Sequence, residues 1–394
     1  MNPLRLHLQP GDVVFREGDA SGSAFLIEEG AIEVHVARGA SSLRLSLLGP
    51  GDLVGEMAAI DDSLRTATAT ALTECVLLRV DRQQIGERLA GADPIIRALL
   101  EGQLKRYRGA LAALQGQVPQ ADDASPSELA GIDKIRLESQ LREALQHDAL
   151  ELRYQPLLDV AAGRIAGFEA LVRWHHPERG EVSPAEFVAL AEETSLIIPV
   201  GEYVIDRACE AVAALVAAGA APSTFVAVNV SAAQLQHPGL IERIVARVDA
   251  AGLPTGSLKL EITESRRLDL GAVADTIAAC HRHGLQVALD DFGTGYAHLS
   301  HLHRLAVDSV KLDQSFSRDM LGDPRAMAVV EAMATLVHAL GADLVVEGIE
   351  NEPQLAVLRR IGCRFAQGYL IGHPRSLAHW LPACGPDGLR WPVV

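Results

Sequence analysis

Residues 285–299, LQVALDDFGTGYAHL, end an apolar run on two adjacent carboxylates, Asp290 and Asp291, followed by Gly293 and Gly295. Successive strand residues point to opposite faces, so a straight strand cannot aim both acids into one site. The chain must bend there, and the glycines supply the freedom to do so. Two carboxylates held close repel each other unless a cation sits between them or one takes up a proton. A helix N-cap followed by a turn uses the same residue types. This stretch alone leaves both readings open.

The same theme recurs along the second two-thirds of the chain. Strand candidates LELRYQPLL, IAGFEALVRW, TFVAVNVS, LKLEIT, QVALDDFG, SVKLD, DLVVEG and FAQGYLI are mostly separated by amphipathic helices at 184–197, 200–219, 237–251, 271–284, 325–341 and 351–361. Eight such strands alternating with helices predict an α/β, (β/α)8 TIM-like barrel, whose catalytic residues gather at the strands' C-terminal ends. Those ends carry Gln155, Glu169, Asn229, Glu261, Asp290 with Asp291, Lys311, Glu347 and Gln367. Burying that many acids unpaired would be prohibitive. Carboxylates plus an Asn carbonyl are hard oxygen ligands that suit Mg2+ or Mn2+ and not zinc. Asp290 and Asp291 then read as a pair shared between two cations, an arrangement suited to in-line displacement at phosphorus. Lys311 adds a positive charge to position water or phosphate.

The chain has 394 residues, 48% hydrophobic and 22% charged, enough for two domains with a sizeable core. A net charge of -16 supplies no basic stripe for nucleic acid. Five scattered cysteines without a CxxC pair read as buried thiols in a reducing compartment. The start lacks an apolar signal core, and the most apolar stretch, 211–221, is too short to span a bilayer. The expectation is a cytoplasmic protein with no membrane or nucleic-acid partner.

Residues 1 to about 82 show short alternating segments punctuated by Gly and Asp, which predict an antiparallel β jelly roll or barrel. A helical stretch follows to 117, and the polar, Pro- and Ser-bearing 118–133 reads as a linker. The expected domains are therefore 1–117 and 134–394. In GEMAAIDDSLRTATATA (55–71), a Gly–Glu step opens a helical turn whose amides can hold an anion, and Arg65 can clamp a phosphate. Glu56 can accept from a ribose hydroxyl.

From about residue 134 the chain resembles the EAL-domain cyclic di-GMP phosphodiesterases. The resemblance rests on FEALVRW (168–174), YQP (154–156), NVS (229–231), EITES (261–265), DDFGTGY (290–296), VDSVKLD (307–313), VVEGIE (345–350) and QGYL (367–370). It implies a barrel whose first strand is antiparallel and Mg2+- or Mn2+-dependent hydrolysis of cyclic di-GMP to linear pGpG. It implies Glu169, Asn229, Glu261 and Asp290 on one metal, and Asp290, Asp291 and Glu347 on a second. Catalytic roles fall on Lys311, Glu169, Asp291 and Glu347, with Lys311 against the attacking water. Gln367 orders the site, and Gln155, Leu171 and Arg173 bind substrate. Glu264 braces the loop 291–299, which couples dimerisation to metal binding.

The first domain, over roughly 5–115, resembles cyclic-nucleotide-binding domains. That implies a pocket for cyclic AMP or cyclic GMP lined by Gly55, Glu56, Met57, Ala58, Arg65 and Thr66. Together the two resemblances imply a homodimeric phosphodiesterase governed by a cyclic mononucleotide. The competing readings are a catalytically silent cyclic di-GMP receptor, a hydrolase of another phosphodiester, and a transcription factor, which the acidic charge disfavours.

Overall fold

A computed structural model describes residues 5–20, 22–38, 41–61, 63–90, 92–114, 126–263, 270–293, 302–385 and 388–391. The chain divides into two compact units, Met1–Leu137 and Glu138–Val394.

Among the described residues of the first unit, eight strands form two four-stranded antiparallel sheets. One has the order β1 (Arg5–Leu8), β8 (Cys75–Asp81), β3 (Ser23–Glu29), β6 (Leu53–Val54); the other β2 (Val13–Phe15), β7 (Thr68–Ala71), β4 (Ile32–Arg38), β5 (Ser41–Leu48). Alternate residues point inward, so Phe25, Ile27, Ile32, Ala69, Ala71 and Leu77 build the core. The strand β1 has no counterpart in the sequence reading, because RLHL is short and exposed on most of its length. Helix α1 (Glu56–Asp61) interrupts the sandwich, and α2 (Arg82–Ala90) and α3 (Pro94–Leu114) follow it. The segment expected as a linker is helical from residue 126 onward, within α4 (Pro126–Gln146); residues 118–125 lie outside the described residues.

The second unit is the expected barrel. Its strands are β9 (Leu150–Asp159), β10 (Arg164–His176), β12 (Phe225–Val230), β13 (Leu258–Thr263), β14 (Gln286–Phe292), β15 (Ser309–Leu312), β16 (Asp343–Val346) and β17 (Phe365–Gln367). They pair in that order, and β9 closes the ring by pairing with both β10 and β17. Among these eight described strands, every ladder is parallel except the two made by β9, which are antiparallel. Short β11 (Gly180–Val182) and β18 (Leu389–Arg390) flank β10. The middle strands β13 and β15 are buried almost throughout, as expected where helices cover the outside and side chains fill the inside. Leu157, Phe225, Ala227, Val345 and Phe365 pack the barrel interior, and the Lys259 ammonium lies 3.8 Å from the Phe225 ring. Among the described residues, no helix is long and apolar enough to cross a membrane.

Candidate active site

Strand register brings the polar ends together. Glu169 on β10 sits opposite Gln155 on β9, and Asn229 on β12 lies beside Glu261 on β13. Lys311 on β15 is wholly buried, and its ammonium lies 3.2 Å from Glu169 Oε2, 2.9 Å from Glu261 Oε2, 3.0 Å from Asp290 Oδ1 and 2.9 Å from Glu347 Oε1. Asn229 Nδ2 donates to Glu169 Oε1 at 2.9 Å, and Gln367 Nε2 donates to Glu169 Oε2 at 2.8 Å. Two carboxylate clusters result, Glu169–Glu261–Asp290 and Asp290–Asp291–Glu347, each with oxygens within 4.8 Å of one another. Asp290 belongs to both.

The charges do not cancel. Five carboxylates face one ammonium, and burial penalises each ionised acid. Burial pushes Glu261 well above the usual carboxylate range, and Glu169 and Asp290 add to the shift. Burial likewise raises Glu347 to about 7 and lifts Asp291, where the neighbouring Asp290 contributes. Glu169 moves down: burial opposes its charge, but Lys311 and the Gln367 and Asn229 amides outweigh it. Lys311 is driven well above an ordinary lysine, because the acids around it overcome its desolvation. It is a fixed cation and not a base. Asp290 Oδ1, though in ion-pair range of Lys311, is buried without a hydrogen bond. The acids must therefore share protons or receive additional cations. The all-oxygen donor set fits divalent hard metals such as Mg2+ or Mn2+.

The bend between the two aspartates lies at Asp291 itself. Its φ is 55°, and the β14–β15 register shifts between Leu289 and Phe292. A non-glycine residue in this region stores strain, and Asp tolerates it better than most. Gly293 follows at φ 101°, where a Cβ would strike the Phe316 ring at 2.4 Å. Gly295 lies outside the described residues.

In the first unit, a cavity of about 730 Å³ contains all six residues singled out from the sequence: Gly55, Glu56, Met57, Ala58, Arg65 and Thr66. The Arg65 guanidinium is buried over the Phe15 ring and donates to the Gly55 and Ser23 carbonyls. Gly55 is required here: φ is 77°, and a Cβ would meet Arg65 Nη1 at 2.3 Å. Two backbone bonds occupy two of the five guanidinium donors, and the buried Nε–H has no hydrogen-bond partner. Arg65 lies three residues ahead of β7.

Residues 138–374 match the EAL domain family, and residues 5–91 match the cyclic nucleotide-binding domain family. The chain belongs to the EAL family. A cyclic di-GMP phosphodiesterase of Pseudomonas aeruginosa, PA2567, is 39% identical over 238 residues, covering 59% of this chain and 40% of the relative. NbdA, a cyclic di-GMP phosphodiesterase of the same organism, is 37% identical over 246 residues, covering 62% of this chain and 31% of the relative. This chain spans 28% to 40% of the length of such curated relatives. The cGMP-bound form of the EAL enzyme Bd1971 superposes with a TM-score of 0.82 at 31% identity, covering 97% of this chain and all of that one. Its form bound to cAMP and cyclic di-GMP superposes equally, with a TM-score of 0.82.

In the EAL barrel, a polar cavity of about 250 Å³ is lined by Gln155, Leu171 and Gln367 together with Glu169, Asp290, Asp291, Glu347 and Lys311. A more apolar cavity of about 300 Å³ shares Leu171 and contains Arg173 and Asn229. Arg173 is held there by Val172 O at 2.9 Å and lies 3.5 Å from Glu181. Glu350 and Tyr369 border the polar cavity and escaped the sequence reading, although both sit inside its motifs VVEGIE and QGYL. In the first unit the missed residues are Gln103, Arg106 and Tyr107 of α3, which line the large cavity. Their signal was the amphipathic pattern of that helix. His176 is buried with Nδ1 accepting from the Glu178 and Arg179 amides, so it caps a turn. Glu264 and loop residues 294–299 lie outside the described residues.

Proposed function

We propose that the EAL unit hydrolyses cyclic di-GMP to linear pGpG with two Mg2+ or Mn2+ ions, and that cyclic AMP or cyclic GMP bound in the first unit governs the rate. The observation that carries the first part is the ring of acids around Lys311, whose negative charge exceeds what one ammonium can answer. Glu169, Asn229, Glu261 and Asp290 would hold one ion, and Asp290, Asp291 and Glu347 the other. Bound there, the ions would activate a water and neutralise charge developing on the phosphoryl oxygens. Lys311 supplies a permanent positive charge beside the reacting phosphate and water. Gln367 and Asn229 orient Glu169 by donating to its two oxygens. Gln155, Leu171 and Arg173 would bind the nucleotide, with Glu264 bracing the loop that starts at Asp291. A receptor that binds without cutting would be expected to lack an acid of this set, and each expected acid is present.

The regulatory part rests on Arg65, which lines a cavity together with Glu56 and Thr66. The nucleotide can act only by binding the active arrangement better or worse than the inactive one. The resemblance supports a homodimer as the working unit, and the scattered cysteines support a reducing compartment such as the cytoplasm.

The test is hydrolysis of cyclic di-GMP by the full chain with Mg2+ or Mn2+, with Glu169→Ala as control. Linear product should form and fall by orders of magnitude in the variant. Absence of product overturns the enzymatic reading, and identical rates with and without each mononucleotide overturn the regulatory one.

A further inference from the structure

A further cavity in the barrel unit, of about 310 Å³, lies between the end of α4 and the turn that follows β10. It shares no lining residue with the cavity at the carboxylates or the one at Arg173. Trp174, Ala144 and Pro177 give it apolar walls. Those walls are fixed. Trp174 is laddered to Leu150 on β9 and to Val182 on β11, and its buried ring meets Phe187 edge-on at 5.8 Å. A preformed pocket with a few placed polar groups is the usual form of a small-molecule site, and this volume stands at the lower end of that class. Two imidazoles line it in opposite tautomers. His176 is 6% exposed, and its Nδ1 accepts the Glu178 and Arg179 amides, each at 3.1 Å, so the ring proton sits on Nε2. Among the described residues, nothing accepts from that Nε2–H. His147 Nδ1 lies 2.9 Å from Glu143 O. A carbonyl only accepts, so Nδ1 holds the proton and Nε2 of the neutral ring offers a lone pair. The lining therefore includes a donor and an acceptor. Glu143 and Glu178, both exposed, also line the cavity and disfavour anions.

We propose that this cavity is a second ligand site of the EAL unit, taking a small planar nitrogen heterocycle that carries an amide or amino group and no negative charge. Such a ring has a lone pair for His176 Nε2–H, N–H groups for His147 Nε2, and a flat face for the walls around Trp174. A pyridine carboxamide and a free aminopurine share this chemistry. The carboxylates of Glu143 and Glu178 select against phosphates and against acids of the same size. None of these residues belongs to the carboxylate site, so occupancy does not depend on hydrolysis.

The experiment uses the full chain with nicotinamide, its isosteric acid nicotinate, and adenine as probes. Dissociation constants are measured by equilibrium dialysis for wild type, Ala144→Leu, His147→Ala and the double variant Glu143→Gln/Glu178→Gln. Wild type should bind nicotinamide or adenine saturably, the tighter of the two naming the ring class. Nicotinate should bind at least about tenfold more weakly than nicotinamide, and the double variant should narrow that gap. Ala144→Leu fills the cavity and should weaken binding by at least about tenfold. His147 is exposed, so His147→Ala keeps the fold even where Ala144→Leu does not, and it should weaken binding roughly 3- to 10-fold. No saturable binding of either neutral probe by wild type overturns the site, as does binding unchanged in both Ala144→Leu and His147→Ala. Nicotinate binding as tightly as nicotinamide, or a gap unchanged in the double variant, overturns the selection by charge.

Discussion

Replacing Lys311 with methionine isolates the electrostatic core of the site. The ammonium sits 2.9–3.2 Å from four carboxylates. At an effective dielectric near 20, each contact is worth roughly 5 kcal/mol before desolvation. Most of that gross attraction offsets the cost of burying the charges, so the net figure is far smaller. Removing one partner of a buried ion pair still costs about 3–5 kcal/mol, because the remaining charge is left uncompensated. In a unit of this size that corresponds to a fall of roughly 10 °C in midpoint. All three tryptophans, Trp174, Trp380 and Trp391, lie in the barrel unit, so their fluorescence reports its unfolding within the full chain. Melts of wild type and Lys311→Met are compared in EDTA and with millimolar Mn2+. The variant should melt roughly 10 °C lower in EDTA. The gap should narrow with Mn2+, since the variant's uncompensated acids bind the ion more tightly than the wild type's, and each tenfold in affinity at saturating ion adds about 1.4 kcal/mol to the variant. Phosphodiesterase activity should fall sharply even where stability is restored. A midpoint unchanged in EDTA, or a gap indifferent to Mn2+, would refute the account of Lys311 as internal counter-charge.

Other perturbations separate the remaining parts. Arg65→Lys keeps the charge over Phe15 but removes the planar fork, so cyclic-nucleotide affinity should drop roughly 10- to 100-fold by calorimetry; unchanged affinity would place the phosphate elsewhere. Asp291→Gly relieves the positive φ and one acid's repulsion, and should raise the barrel's stability in EDTA by roughly 1 kcal/mol while abolishing most activity; a less stable variant would contradict the strain. Burial pushes the Cys363 thiol to about 12, so above pH 9 the unfolded chain loses this proton while the folded chain keeps it. Stability should therefore fall with rising pH by about 1.4 kcal/mol per unit from this group, and urea titrations at pH 8, 9 and 10 should show that component absent in Cys363→Ala.

The barrel was legible because its strands are short apolar runs that end on acids, amides or a lysine, and periodicity locates such runs well. Glu169, Glu261, Asp290 and Glu347 could be grouped from sequence because a barrel sends every parallel strand's C-terminal end to one rim. Residues contributed by another element's face were harder to see. Gln103, Arg106 and Tyr107 line the first unit's cavity from a helix whose pattern reports only that one side is apolar. The linker reading missed the helix at 126–133 because Pro119, Ser125 and Pro126 outweighed the helix-compatible SELAGIDK in composition. Pro126 stands at the first helical position, where its missing N–H costs nothing.

Lys311 shows where spacing stops short of geometry. Its type and its place at a strand end predicted a cation for substrate or water, and nothing in SVKLD says how many acids surround it. That number depends on barrel stagger, which aligns the ends of β10, β13, β14 and β16 around β15. The same stagger explains why adjacent aspartates can serve one site. Asp290 keeps the inward direction of β14, and the left-handed turn at Asp291 swings the second carboxylate toward Glu347. Lys311 alone cannot balance that convergence of charge, so the proton affinity of Glu261, Asp291 and Glu347 rises. The property that makes Glu261 and Glu347 poor acids in isolation is therefore the one that makes the cluster a strong competitor for hard divalent ions.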